Sequence, residues 1–247
     1  MKLLVYMLSF LLALTASPAY ATTSFMESGS DATQDVKMWA AMSGTCTSST
    51  TTARTGPRSI TCGAGALNSV STATGTLADA GRRITQGFRM SALPGATGTI
   101  MASQTSGLSV VIRVRMTTGG VLQIWHNTAQ LGSNGSTLSI NTWYRITFSY
   151  VVTSTTNFSA KVFVNGVQDI SVTQADGTLG ITSTSIYGTG NINGAASFVM
   201  FFDDTYIDTG TGVNDIGNIS VTNKRPNANG TTNGWIVQIG AGGSGYG

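Results

Sequence analysis

Along residues 142–172, apolar and polar side chains change places at almost every step. Tyr144, Ile146, Phe148 and Tyr150 alternate with Trp143, Arg145, Thr147 and Ser149. A strand turns successive side chains to opposite faces, so this period of two predicts one buried and one wetter face. After a polar loop at 152–159 comes the run 160–172, with Asn165-Gly166 set between Val164 and Val167. Asn-Gly supplies the two positive φ angles that a two-residue hairpin turn requires. The whole stretch therefore reads as three consecutive antiparallel strands.

The same alternation recurs elsewhere. Residues 108–116 place Leu108, Val110, Ile112, Val114 and Met116 on one face, with Arg113 and Arg115 on the other. Thr117-Thr118-Gly119-Gly120 then turns into a second strand, Val121 to His126, completing a hairpin. Residues 82–90 alternate Arg83, Thr85 and Gly87 with Ile84, Gln86 and Phe88, and a strand ends at Cys62. Residues 127–136 and 208–215 read as loops, and 181–187 and 216–222 as further strands. The run 197–207 is apolar on both faces, as a central strand requires. Residues 25–39 form a leading segment, with Met38, Trp39 and Met42 packing an edge of the core. Residues 64–80 are small and hydroxyl-rich with no helical period. About a dozen short strands at regular spacing predict an all-β fold, an antiparallel β-sandwich of the jelly-roll kind.

The first 21 residues have a different pattern. Lys2 precedes an apolar run from Leu3 to Leu14, and Ala19-Tyr20-Ala21 offers small residues where a signal peptidase cuts. We expect a signal peptide at 1–21, a sandwich domain at 22–225 and a Gly-rich tail at 226–247. The apolar run is shorter than the roughly 20 residues of a membrane span, and no later stretch suggests one. Export to the periplasm, cell surface or medium is the expectation, with a virion also open. Cys46 and Cys62, the two cysteines of the chain, then read as one disulfide. Charged residues make up 9% of the chain and the formal net charge is +3, too weak and scattered for nucleic acid.

Three segments carry a family resemblance: Trp143-Tyr-Arg-Ile-Thr-Phe, Val162-Phe-Val-Asn-Gly and Phe202-Asp-Asp-Thr-Tyr-Ile. Together they resemble the concanavalin A-like lectin and glucanase jelly roll, with its laminin G-like relatives. The segment from Asp203 to Asn229 is further similar to versions in bacteriophage structural proteins. The resemblance covers roughly residues 54–230 and implies a fold rather than an activity. Glucan-cleaving members use two Glu separated by an Asp on one strand. Here only Glu27 lies beyond the leader, in the leading segment.

The candidate chemistry follows from residue types. A sugar presents an apolar face ringed by hydroxyls, so it needs an aromatic platform beside polar groups. Trp125, His126, Asn127 and Trp143 supply these at strand ends, and core or edge packing is the alternative for each tryptophan. Asp203, Asp204, Asp208, Asn214 and Asp215 gather hard oxygens around a Gly-containing loop, as a Ca²⁺ site would, although the spacing is not that of an EF-hand. Asp203 and Asp204 are adjacent, so alternation predicts opposite faces, one bonding a loop and the other meeting solvent. His126 stands alone and no Gly-x-Ser-x-Gly elbow is present, so no catalytic residue is assigned and the expectation is a chain that is not an enzyme. The sequence thus predicts a non-catalytic recognition or adhesion domain whose partner is a glycan or surface polysaccharide. The alternatives are a structural subunit packed against neighbouring protein subunits in a particle or surface layer, and a divergent glycoside hydrolase.

Overall fold

The fold is described from a computed structural model, which covers residues 23–27, 41–43, 46–63, 69–73, 81–104, 110–126, 128–154, 157–175, 186–191, 199–208, 215 and 217. These form two antiparallel sheets packed face to face, the predicted β-sandwich. The strands are β1 (Thr23–Glu27), β2 (Ala41–Ser43), β3 (Thr47–Ser49), β4 (Ser59–Cys62), β5 (Ser69–Ala73), β6 (Gly81–Met90), β7 (Gly98–Gln104) and β8 (Val110–Met116). They continue with β9 (Leu122–His126), β10 (Ala129–Leu131), β11 (Tyr144–Ser154), β12 (Asn157–Val164), β13 (Val167–Ala175), β14 (Ile186–Asn191) and β15 (Met200–Asp208). The eight-stranded sheet runs β13-β12-β11-β6-β15-β4-β3, with β1 also on β15. The seven-stranded sheet runs β10-β9-β8-β7-β14-β5-β2.

The predicted three-strand stretch is β11–β13. Asn165 and Gly166 take φ of 52° and 89°, so the Asn-Gly turn is made as its chemistry requires. Phe148 lies opposite Ile84 on one side and Val162 on the other, and all three are fully buried. From the facing sheet, Ile112, Val114, Met116, Leu122 and Ile124 complete the same core. The alternation that predicted these strands is therefore the division between interior and outer face.

Two strands lie where none was predicted. The segment 127–136 contains the short edge strand β10, whose pairing with β9 is made by backbone and needs no apolar pattern. Strand β5 lies within the hydroxyl-rich 64–80 segment; of the expected 181–187 strand, Ile186 and Tyr187 are described and lie in β14. Cys46 and Cys62 form the predicted disulfide across 16 residues of chain. The signal peptide, the side chains of Met38, Trp39 and Met42, the 216–222 strand and the Gly-rich tail lie outside what the structure describes. No helix among the described residues is long and apolar enough to cross a membrane.

The disulfide closes a loop of moderate length, so its main effect is on the entropy of the unfolded chain. Replacing both cysteines by alanine is expected to lower unfolding free energy by about 3 kcal/mol. Urea titration of the oxidised wild type against the double variant measures it, and an unchanged midpoint would show that the bridge constrains nothing.

Candidate functional site

Polar side chains cluster on the outer face of each sheet. On the eight-stranded sheet the cluster surrounds the middle of β15. Strand β4 pairs with Met200–Phe202 and β1 with Thr205–Asp208, so the partner changes at Asp203 and Asp204. At that point β15 bulges against β6, and Asp204 adopts a left-handed φ of 49°. The bulge breaks the alternation that predicted opposite faces for the two carboxylates. Both are buried, and both are held by the same short segment. Asp203 Oδ2 accepts the backbone N–H groups of Arg54 (2.7 Å) and Thr55 (3.0 Å). Asp204 accepts the Arg54 guanidinium (2.8 Å) and the Thr55 hydroxyl (2.6 Å). Gly87 opposite Asp203 makes room for this segment, since a Cβ there would lie 2.8 Å from Arg54 Cδ. The expectation that one of the pair meets solvent is thereby corrected.

Burial, and then the charge of Asp204, push the Asp203 carboxyl from its ordinary 3.8 up to about 7, against the pull of three backbone N–H donors. Asp215 belongs to a different group. It receives Arg145 Nη1 and the Thr147 hydroxyl on Oδ1, each at 2.8 Å, while Arg145 also donates to the Gly217 carbonyl. Arg145 is 7% exposed, so Asp215 is the counter-ion of a buried cation. Of the other predicted calcium ligands, Asn214 and the Asp208 side chain lie outside the described residues. Among the described residues no three His, Cys, Asp or Glu side chains converge as a metal shell.

The second cluster lies on the seven-stranded sheet. In the β8–β9 hairpin Arg113 faces Trp125 and Arg115 faces Gln123, and these four alternate with the core residues of both strands. The Arg115 guanidinium sits over the Trp125 indole, 4.4 Å from the ring centre, and donates to the Thr97 carbonyl at 3.2 Å. Trp125 Nε1 donates to Gln123 Oε1 at 2.9 Å. Gln123 Nε2 in turn donates to Asn134 Oδ1 (2.8 Å), which also receives Gln130 Nε2 (3.0 Å). A half-buried indole is thus fixed at its N–H and on one face, inside a ring of amides and a guanidinium. Burial lowers the pKa of both arginines, and for Arg113 the neighbouring Arg115 adds to it.

Of the predicted sugar-contacting residues that are described, only Trp125 lies here. His126 is corrected: the next residue along a strand points the other way, and its side chain is buried between the sheets, 6.0 Å ring to ring from Phe158. Asn127 lies outside the described residues. Trp143 is half-buried just before β11 of the other sheet, so it does not share a face with Trp125. Gln123 and the two arginines were readable as partners of Trp125 from hairpin parity. Asn134 and Gln130 were not, because tertiary folding brings them in.

The fold is shared with carbohydrate-acting proteins. An endo-β-1,4-glucuronan lyase from the fungus Trichoderma reesei superposes with a TM-score of 0.58 at 13% identity, over 76% of this chain and 96% of that one. A carbohydrate esterase from Shiga toxin-encoding bacteriophage phi24B gives 0.53 at 15% identity, over 76% and 99%. The binding domain of botulinum neurotoxin DC, solved with rat synaptotagmin II, gives 0.52 at 13% identity, over 76% of this chain and 48% of that one. No family model and no curated protein sequence matches the chain. At these identities the likeness is one of fold, the jelly-roll sandwich. It nevertheless overturns the expectation of a chain that is not an enzyme. A lyase and an esterase are built on this same scaffold.

The Asp203 shift carries a sign. Between pH about 4 and about 7 the native state binds a proton that the unfolded chain does not, so stability rises as pH falls through that window. Asp203→Asn keeps an acceptor for the N–H donors and removes the titration. Its unfolding free energy, followed by denaturant titration from pH 7 to pH 4, is expected to gain less on acidification than the wild type. Parallel profiles would contradict the assignment.

Proposed function

We propose that this chain is a polysaccharide-binding jelly roll that holds its ligand on the outer face of the seven-stranded sheet. The observation that carries this reading is the fixed Trp125 indole amid Gln123, Gln130, Asn134 and Arg115. A pyranose ring presents C–H groups to an aromatic face and hydroxyls to its rim. Amide side chains suit that rim, because each offers both donors and an acceptor. Holding the indole before the ligand arrives lowers the entropy cost of binding. The fold neighbours that act on carbohydrate support the reading as precedent for the scaffold. The disulfide agrees with export, where polysaccharides are met.

The test is a polysaccharide panel read by affinity electrophoresis and calorimetry, with the products of each incubation analysed for chain cleavage. Trp125→Ala is expected to weaken binding by about 2 kcal/mol, roughly 30-fold, as loss of a central aromatic anchor does. Trp143→Ala, on the other sheet, is expected to leave binding within about twofold, since substitutions outside a contact surface change little. Binding indifferent to Trp125→Ala would move the site elsewhere, and no binding across the panel would sink the reading.

A further inference from the structure

The two sheets differ in charge in a way that names the ligand more closely. Between Asp79 and Asp169 the sequence has no Asp or Glu. None of the strands β2, β5, β7, β8, β9, β10 and β14 contains a carboxylate, and Arg113 and Arg115 are their only arginines or lysines. The carboxylates found on strands, Glu27, Asp169, Asp203, Asp204 and Asp208, all belong to the other sheet. Counted over strand residues, the sheet that carries Trp125 therefore has two cations and no anion, whereas on the other sheet Arg82, Arg83, Arg89, Arg145 and Lys161 stand among the carboxylates.

We infer that the polysaccharide bound on this face is acidic, its sugar carboxylate or sulfate groups received by Arg115 with Arg113 alongside while a ring packs at Trp125. This rests on the reading of that face as the glycan platform. Arg115 has the geometry for the task. Its guanidinium is held in place by the indole beneath it and by the Thr97 carbonyl, neither of which neutralises its charge. Its Nε is buried with no hydrogen-bond partner. A planar guanidinium so oriented matches the two oxygens of a carboxylate or sulfate, and an arriving anion offsets the cost of keeping the cation partly desolvated. The lowered pKa of both arginines has the same origin. A neutral polymer would leave that cost in place.

The experiment compares three polymers on the full chain: polyglucuronate, the same polymer with its carboxyls reduced to alcohols, and dextran sulfate. Polyglucuronate is expected to bind at least about tenfold more tightly than its reduced form, with an affinity that falls steeply as salt rises. Arg115→Gln is expected to remove that preference, costing about tenfold on the acidic polymer and little on the neutral one. Trp125→Ala should weaken both. Dextran sulfate separates the anion types: binding that needs Trp125 and Arg115 extends the site to sulfate, and none restricts it to carboxylate. If Arg115→Gln perturbs folding, the salt dependence of the wild type on the acidic and reduced polymers still decides. Equal affinity for the two with no salt effect would overturn the acidic assignment and leave the glycan platform standing. Failure of all three polymers, or dextran sulfate binding that ignores Trp125, would remove both.

Discussion

A β-sandwich stands only while every strand keeps one row of side chains dry between the sheets, and a slip of one residue would turn that row outward. In this chain the constraint is strictest at β11, paired along most of its length with β6 on one side and β12 on the other. Ile146, Phe148 and Tyr150 face inward there, and the interior they share with Ile84, Phe88 and Val162 fixes the register of the sheet. The same rule admits polar side chains whose position in the row demands it. His126 goes inside because Trp125 stays outside. Gln86 goes inside between Ile84 and Phe88, fully buried, with no partner for its side-chain oxygen or nitrogen. Buried amide groups left unpaired cost about 1–3 kcal/mol. Opposite Gln86 lies the β15 bulge, where the Thr205 hydroxyl is likewise buried without a partner. The interior is thus least satisfied at the place where the strand geometry is least regular.

That irregularity brings together what alternation would keep apart. Between its pairings with β4 and β1, β15 has two residues whose edge is covered by a loop rather than by a strand. A left-handed Asp204 turns both carboxylates toward Arg54 and Thr55, and Asp tolerates that conformation better than most residues. Two adjacent buried carboxylates repel each other. One guanidinium answers one of them, and the other rests on backbone N–H groups and a raised pKa. The arrangement ties the 50–58 loop, and through it the disulfide-linked β3–β4 pair, to the centre of the sheet.

How much of this could be read in the sequence depends on whether the deciding interaction is local. The strands β11 to β13 and the β8–β9 hairpin were legible, because period-two alternation and an Asn-Gly turn are properties of neighbouring residues. Their parity also contained the outer-face grouping of Arg113, Arg115, Gln123 and Trp125, and the inward turn of His126. The edge strand β10 was hidden, since Ala129–Leu131 has two exposed residues and no alternating row to display. The common fate of Asp203 and Asp204 was hidden for a deeper reason. A bulge depends on which strand arrives at which edge, and Arg54 is 149 residues away from the Asp203 carboxylate that its N–H meets. Gln130 reaches the indole network as the cross-strand partner of Trp125 on β10, and Asn134 reaches it from the segment that follows, neither of which an alternating pattern records.

The placement of charge follows from its scarcity. On the eight-stranded sheet each described cluster closes on itself: Arg54 meets Asp204, and Arg145 meets Asp215. These pairs satisfy protein atoms and hold loop segments down. Arg115 on the opposite sheet is treated differently, laid on an indole and a carbonyl that orient a cation without cancelling it. A chain in which 9% of residues are charged has little charge to spread as a solubilising coat. Hydroxyls and amides serve that purpose. Arg115, fixed beside a tryptophan on a sheet whose strands carry no acid, is the cation that the proposed acidic ligand would meet.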